Sequence, residues 1–188
     1  MDLLDAHAEA LHEFDLAVHR IADDRWDAPT PCTEWSVRDL VNHLVSEQLW
    51  VPPLLAGATL DEVGDRFDGD VLGEDPVGAW ESASAAARAA WTEAGATGRR
   101  VHLSYGTAGA AEYGWQMVGD LAVHAWDLAT ALGEPQPIRA DVAEELIEKF
   151  RPMMPLWQGT GLFDPPVPVP ESAPGADRLV ALTGRRPG

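Results

Sequence analysis

The sequence predicts an all-α fold built around four long helices. In four separate segments of the 188-residue chain, apolar residues recur every three or four positions, the spacing that gives a helix one buried face. Only one short stretch, residues 101–105 (VHLSY), alternates between apolar and polar residues as a strand does. The length suits one domain with a sizeable core, so we expect the long helices to pack into a single bundle.

The first two helices are predicted from apolar spacing and from the residues at their ends. The first covers residues 3–22, and its apolar face consists of Leu4, Leu11, Phe14, Val18 and Ile21. Prolines at positions 29 and 31 then break the chain. Ser36 is the expected N-cap of the second helix, because Asp39 follows three residues later as in a capping box. Pro52 and Pro53 should end or kink this helix, since proline donates no backbone hydrogen bond.

The third and fourth helices follow a long connection. Residues 57–73 are acidic and contain glycine, which is typical of a loop, and we expect them to form a long crossover connection in the bundle. Pro76 can open the third helix, because proline fits the first helical turn, and the helix should stop before Gly95. The fourth helix is predicted from about Glu112 to Leu132, with Gly133 at its C-terminal cap.

Beyond the fourth helix, the sequence predicts a shorter helix and an extension. The shorter helix covers residues 140–150, and residues 163–174 are rich in proline, which favours an extended segment over the surface. Residues 176–183 can form one or two final helical turns. We therefore place the bundle at about residues 1–150 and a Pro-rich C-terminal extension at about residues 151–188 of a single domain.

Charge and composition exclude several classes of protein. The net charge of −18 disfavours nucleic acid and anionic membranes as partners, because both would repel the surface. No apolar run approaches the roughly 18 residues of a membrane-spanning helix, and the acidic N-terminus lacks the bases of a secretory signal. We therefore expect a cytoplasmic protein. Cys32 is the single cysteine, so an internal disulfide and a cysteine-based zinc finger are excluded. We do not expect Cys32 to be a nucleophile, because no histidine partner is evident nearby in sequence.

Two residues of the fourth helix form the main functional signal. Asp120 and His124 are four residues apart, so their side chains lie one above the other on one helix face. They border the apolar stripe, where burial of an unpaired carboxylate costs several kcal/mol. His43, in the second helix, can complete a three-ligand metal site of nitrogen and oxygen donors with open coordination positions. Spacing alone does not distinguish this site from an ion pair between Asp120 and His124, nor does it show that the two helices meet.

Three further polar residues are candidates for supporting roles. Asp127 lies three residues beyond His124 and can accept a hydrogen bond from a ligand imidazole, or it can be a plain surface acid. Glu47, one turn after His43, is the alternative metal ligand. Glu47 and His102 are the candidate acid–base residues of a catalytic site.

Tryptophan is abundant, with eight residues in the chain. Several of them cluster in sequence around the two proposed ligand helices. Core filling is the default interpretation, and the walls of an apolar ligand pocket are the functional alternative. Under that alternative, Trp50, Trp126 and Asp127 are the candidates for binding a cofactor.

Two motifs resemble those of a known family. Residues 30–44 (TPCTEWSVRDLVNHL) resemble the second-helix motif of the DinB-like superfamily, and they are most similar to its mycothiol-dependent maleylpyruvate isomerase metal-binding branch. Residues 120–129 (DLAVHAWDLA) resemble the fourth-helix motif of the same branch. Residues 177–185 (DRLVALTGR) resemble the tail of an actinobacterial subfamily. The resemblance covers nearly the whole chain, and the two helix motifs are specific only in combination.

The resemblance implies a DinB-like four-helix bundle that holds a divalent metal, usually zinc. Carried over residue by residue, the metal ligands are His43, Asp120 and His124. The isomerase has a glutamate at the position of Asp120, and the shorter side chain suits a closer helix or another metal, such as nickel or iron. The isomerase also has a further C-terminal domain that contributes to its active site. A chain of this length does not include that domain, so the resemblance does not extend to maleylpyruvate isomerisation itself.

The expected function is that of a metal-dependent transferase or isomerase that uses mycothiol and acts on a small electrophilic substrate. The metal would hold the thiol as a thiolate, which would attack the substrate. The alternative is a non-catalytic sensor or partner-binding bundle with a closed metal shell, in which Glu47 is the candidate fourth ligand. A third interpretation is a bundle without a physiological metal, in which the triad is an ion-pair network. A homodimer is expected by family analogy alone.

Overall fold

A computed structural model describes residues 1–157 and 163–187, and helices dominate this part of the chain. The helices are α1 (Leu3–Val18), α2 (Val37–Leu55), α3 (Leu60–Val63), α4 (Pro76–Thr92), α5 (Ala110–Leu132), α6 (Ala140–Phe150), α7 (Met154–Trp157) and α8 (Gly175–Leu182). The strands β1 (Arg100–Leu103) and β2 (Gly106–Gly109) form an antiparallel hairpin. The predicted, mostly helical fold with a short strand segment is therefore confirmed. No helix in the described ranges is long and apolar enough to span a bilayer.

Helix α1 is shorter than the sequence predicts. Asp2 caps its N-terminus by accepting a hydrogen bond from the backbone of Asp5 (2.9 Å). The helix ends at Val18 instead of continuing to residue 22, because the N–H groups of Arg20 and Ile21 bond to carbonyls three residues back. Ile21 remains buried, so the apolar spacing correctly identified an inward residue although it lies beyond the helix end.

Helix α2 begins as predicted and ends later. The capping box is confirmed: Ser36 Oγ accepts from the N–H of Asp39, and the Asp39 carboxylate accepts from the N–H of Ser36. Pro52 and Pro53 are predicted to end or kink the helix; an end at the prolines is wrong, because α2 continues to Leu55. Both Leu54 and Leu55 are buried in an apolar cluster, so tertiary packing offsets the hydrogen bonds that the two prolines cannot donate.

The four long helices contact one another pairwise. Helix α1 packs chiefly against α5, and α2 packs chiefly against α4; further contacts join α2 to α5 and α1 to α4. A large apolar cluster fills the space between them, and a smaller one around Trp91 and Tyr113 extends to the hairpin through Val101 and Ala108. This packing places α2 beside α5, the two helices that carry the predicted metal ligands.

The C-terminal helix α8 packs against the core. It contacts α6 and α5, and Leu179 and Val180 are buried in the large apolar cluster. Residues 163–174 precede it without forming a helix or strand, and the N–H of Val167 bonds to the carbonyl of Ala181 (2.9 Å). Residues 158–162 and 188 of the predicted extension lie outside the described residues. The expected final helical turns are present as α8.

Gly119 allows α5 to approach Phe150 of α6 closely. A Cβ atom at Gly119 would overlap the Phe150 ring, which is buried and packs against Trp157 with ring centroids 5.1 Å apart. We expect Gly119→Ala to lower the melting temperature by a few degrees, because overpacking costs about 1–3 kcal/mol and the helix preference for alanine returns only about 0.5–1 kcal/mol. Gly98→Ala is the control, since a Cβ there meets nothing within 4 Å. Equal melting temperatures for the two variants would contradict the close contact.

Candidate metal centre

Helices α2 and α5 bring the three predicted ligands together. Nε2 of His43 lies 3.2 Å from Oδ2 of Asp120, and Nε2 of His124 lies 3.4 Å from Oδ1 of the same carboxylate. One donor atom from each residue lies within 4.8 Å of the other two. Asp120 and His124 meet because they are one helical turn apart, whereas His43 reaches them through the packing of α2 on α5.

One oxygen of Asp120 is held by an ion pair alone. Its Oδ2 atom is buried and makes no hydrogen bond with the described residues, and its ion-pair partner is Nε2 of His43 at 3.2 Å. A buried carboxylate is costly unless a cation pairs with it, and a metal ion can take that role in place of the imidazolium. Two ligand atoms bound to one ion at about 2.1 Å with a tetrahedral angle are about 3.4 Å apart, close to the separations found here. The three side chains therefore fit a divalent metal that accepts two imidazoles and one carboxylate.

The charges of the triad depend strongly on one another. Burial disfavours an ionised Asp120, but the charges of His43 and His124 outweigh burial and hold the pKa of Asp120 well below its usual range. Burial likewise disfavours an imidazolium at His124, yet Asp120 and the hydrogen-bonded Asp127 raise the pKa of His124 well above 6.5. The pKa of His43 is also raised, because Asp120 outweighs the effect of burial. The metal-free site is therefore a network of imidazolium and carboxylate groups. A metal cation that binds there would displace the imidazolium protons.

The other ring nitrogen of His124 faces a second polar group. Nδ1 donates to Oδ2 of Asp127 (2.9 Å), a carboxylate that is fully buried. Arg185 donates to both oxygens of Asp127, from Nε to Oδ1 (3.2 Å) and from Nη2 to Oδ2 (2.8 Å). Since the Nδ1 proton is directed at Asp127, Nε2 is the nitrogen of His124 that faces Asp120 and that can exchange its proton for a metal.

Cys32 lies against the same polar group. Its Sγ atom is 3.2 Å from Oδ2 of Asp127, 3.7 Å from Nδ1 of His124 and 3.4 Å from Nη2 of Arg185. The distance along the chain thus concealed a histidine neighbour of Cys32. Cys32, His124 and Asp127 also offer three ligand atoms within 4.8 Å, but the guanidinium of Arg185 already neutralises Asp127. A second cation there would face that positive charge, so the triad around Asp120 is the better metal site.

Trp35 borders the triad on its outer side. Its ring lies 5.0 Å from the His43 ring and 5.8 Å from the His124 ring, and it is stacked on the latter. The preceding Glu34 has a φ of 73°, the left-handed conformation that non-glycine residues rarely adopt. The side chains of His43, Asp120 and His124 remain 29%, 26% and 10% exposed. Part of each triad side chain is therefore exposed to solvent, and Trp35 packs against both imidazole rings.

The acid–base candidates occupy different places. Glu47 is half-buried one turn beyond His43, within electrostatic reach of the triad, and burial together with Asp120 raises its pKa to about 7. His102 lies in the hairpin, where its Nδ1 atom is 3.2 Å from Oγ1 of Thr107. No hydrogen bond or ion pair of the described residues joins His102 to the triad. Of the two, Glu47 is the residue whose charge is coupled to the triad.

The tryptophan candidates for a cofactor pocket pack elsewhere. Trp50 lies against Phe67, with ring centroids 5.6 Å apart and edge to face. Trp126 is buried within the large apolar cluster. In the described part of the chain neither ring contacts His43 or His124, so core filling describes both residues as the structure places them. Trp35, one of the tryptophans that cluster in sequence around the two ligand helices, lies beside the triad.

The residue that sequence reasoning missed entirely is Arg185. It follows α8 and is 58 residues from Asp127 along the chain, so no local pattern links the two. One signal was available: an aspartate on the inward side of α5 needs a cationic or hydrogen-bonding partner, and an arginine in the C-terminal segment can supply it. Which arginine does so is decided by the tertiary fold.

Comparison with known proteins places the chain in a family. The model of the mycothiol maleylpyruvate isomerase N-terminal domain matches residues 7–129, a range that includes the whole triad. Two uncharacterised proteins of Mycobacterium tuberculosis, from strains CDC 1551 / Oshkosh and ATCC 25618 / H37Rv, are each 30% identical to this chain over 187 residues, covering 98% of both chains. No solved structure gives a significant match. Because the family model covers more than half of the sequence, the chain belongs to the mycothiol maleylpyruvate isomerase N-terminal domain family.

Proposed function

We propose that the four long helices form a DinB-like bundle and that His43, Asp120 and His124 hold a divalent metal, with zinc as the first choice. One observation carries this proposal: Oδ2 of Asp120 is buried without a hydrogen-bond partner, and the carboxylate lies between two imidazole Nε2 atoms at 3.2 and 3.4 Å. Three ligands leave coordination positions free, as in metal sites that bind a substrate.

We further propose that the site activates a low-molecular-weight thiol. The thiol would then be transferred to a small electrophile or would promote isomerisation of that electrophile. When bound, the metal would supply a Lewis-acid position that keeps a thiol ionised at neutral pH. The family name points to mycothiol as that thiol. The triad side chains are partly exposed to solvent, and the Trp35 ring beside both imidazoles offers an apolar surface to a thiol ligand.

Glu47 is the residue best placed to accept the thiol proton. In the metal-free protein, burial and the charge of Asp120 raise the pKa of Glu47 to about 7, so this carboxyl group can exchange a proton near neutral pH. It lies on α2 in the turn after His43, so its carboxyl group is held on a rigid element within reach of the triad. Asp127 keeps the ring of His124 oriented while Glu47 exchanges its proton.

The alternative is a non-catalytic metal-binding bundle. The same position of Glu47 favours it, because a fourth carboxylate ligand would close the metal shell and leave no room for a thiol. The two functions thus assign different roles to one side chain, as proton acceptor or as ligand. They make opposite predictions for the metal affinity of Glu47→Gln: it stays nearly unchanged if Glu47 is a proton acceptor and falls if Glu47 is a ligand.

Cobalt substitution with thiol titration distinguishes the two functions. We expect untagged protein to bind one Co²⁺ and to develop a sulfur-to-cobalt charge-transfer band when mycothiol is added. If Glu47 is not a ligand, Glu47→Gln should change the affinity for Co²⁺ by less than about 10-fold. Residues that only support a ligand already account for about 10–100-fold, so loss of a ligand would exceed this limit. The same variant should transfer the thiol more slowly.

The opposite results would support the closed shell. A cobalt spectrum unaffected by mycothiol, together with a Glu47→Gln variant that binds Co²⁺ at least about 10-fold more weakly, would contradict an open site. Glu62→Gln is the matched control, because Glu62 is an exposed carboxylate in a capping box with Thr59, away from the triad. Protein that binds no stoichiometric metal under metal-replete conditions would overturn both functions.

A further inference from the structure

We infer that Arg185 is a positioning residue of the metal centre, so that the C-terminal segment completes a site whose ligands all lie in α2 and α5. This inference rests on the proposed metal site. Arg185 lies well beyond residues 7–129, the range of the family match, and it contacts none of the three ligands in an ion pair of its own. It acts through Asp127, which bonds to His124.

Arg185 fixes both oxygens of Asp127. Nε donates to Oδ1 at 3.2 Å and Nη2 donates to Oδ2 at 2.8 Å, the paired geometry in which a guanidinium binds a carboxylate most specifically. Oδ2 also receives the Nδ1 proton of His124 at 2.9 Å. Because Asp127 is fully buried, no solvent molecule can readily take over the role of the guanidinium.

The end of α8 is built to direct Arg185 inward. Thr183 is buried and its hydroxyl donates to the carbonyl of Val180, which also accepts the backbone N–H of Arg185 (2.9 Å each). Gly184 has a φ of +88°, and a Cβ atom there would clash with Asp164, so this sharp turn requires glycine. The chain reverses at Gly184 and brings the guanidinium to Asp127.

The consequence is a fixed orientation of one metal ligand. With Asp127 held at both oxygens, its Oδ2 keeps the Nδ1–H of His124 on one side and directs Nε2, the ligand atom, toward Asp120. Without Arg185, Asp127 loses two of its donors and is free to rotate away from the imidazole. Outer-shell partners of this kind typically account for about 10–100-fold in metal affinity.

Metal affinity measured by chelator competition tests the inference. We expect Arg185→Met to bind Co²⁺ and Zn²⁺ about 10–100-fold more weakly than wild type and to shift the d–d bands of bound Co²⁺. Arg185→Lys should be intermediate, because an ammonium group keeps the charge but lacks the planar pair of donors that matches both carboxylate oxygens. Arg178→Met is the matched control: Arg178 lies on α8 and pairs with Glu144 of α6, so its loss affects helix docking without touching Asp127.

Each outcome bears on the inference separately from the proposed function. Wild-type affinity and an unchanged cobalt spectrum in Arg185→Met would overturn the role of Arg185 while leaving the metal site intact. An equal loss of affinity in Arg178→Met would also overturn it, since docking of α8 alone would then explain the effect. If Arg185→Met does not fold, Arg185→Lys decides, and wild-type affinity in that variant overturns the two-oxygen contact. Wild-type protein without metal would overturn the proposed function itself.

Discussion

Replacing Asp120 with asparagine should abolish tight metal binding while the helices remain folded. Asparagine has the shape of aspartate but no charge, so the variant removes the anionic ligand from between His43 and His124 without creating a cavity. Partners outside the coordination shell already account for about 10–100-fold in metal affinity. We therefore expect loss of a direct ligand to weaken Zn²⁺ and Co²⁺ binding by more than about 100-fold.

Isothermal titration and metal analysis after dialysis would measure this effect. Asp141→Asn is the matched control, because it makes the same chemical change in an exposed ion pair with Arg139. We expect the control to retain wild-type affinity, and both variants to keep the wild-type circular dichroism spectrum. Tight binding by Asp120→Asn would contradict the triad as the metal site. Loss of that remaining binding in Cys32→Ala would then assign the ion to the neighbouring group of Cys32, His124 and Asp127.

The second large effect is a steep rise of metal affinity with pH. The pKa values of His43 and His124 are raised in the metal-free protein, so below those values a metal must displace imidazolium protons. Each displaced proton changes the apparent affinity by about 10-fold per pH unit, and two protons change it by about 100-fold. The pKa of Asp120 is lowered, so its carboxylate stays ionised above its ordinary value of 3.8 and adds no dependence at higher pH.

The stability of the metal-free protein should change in the opposite direction. Because the folded-state pKa values of both histidines are raised, their charged pairs with Asp120 stabilise the fold fully below the unfolded-state value of 6.5. This stabilisation is lost as the pH rises through the folded-state pKa values. Melting temperatures of metal-free protein should therefore fall across that window, whereas those of metal-loaded protein should rise.

His19 provides the control for the pH dependence. Its pKa is also raised, by hydrogen bonds with Asp15 and Glu81, but it is exposed and far from the triad in sequence. We expect His19→Gln to keep the wild-type slope of metal affinity against pH. A flat dependence between about pH 6 and pH 8 in the wild type would contradict displacement of imidazolium protons.

The helices were predictable because their signals are local. Apolar spacing and the capping box of Ser36 and Asp39 involve residues within one or two turns, and the adjacency of Asp120 and His124 follows from helix geometry alone. The end of α2 was not predictable in this way. Its last residues pass Pro52 because Leu54 and Leu55 are buried by other helices, which the local sequence does not encode.

The candidate site was predictable only in part. Its third ligand, His43, came from the resemblance to a family, since nothing in the spacing shows that α2 meets α5. Cys32 and Arg185 converge on Asp127 from 95 and 58 residues away along the chain. Such contacts depend on the tertiary fold that brings the segment after α8 against α5. The residue types involved are common in surface segments, so their presence alone does not predict the contacts.

The contact between Arg185 and Asp127 has a reciprocal consequence. If docking of the C-terminal segment strengthens metal binding by a given factor, thermodynamic linkage requires that the metal strengthen docking of the segment by the same factor. Metal loading should then protect the backbone after α8 from proteases and from hydrogen exchange, although that segment touches no ligand directly. The exchange rate of the segment after α8 would in this way report whether the site on α2 and α5 holds an ion.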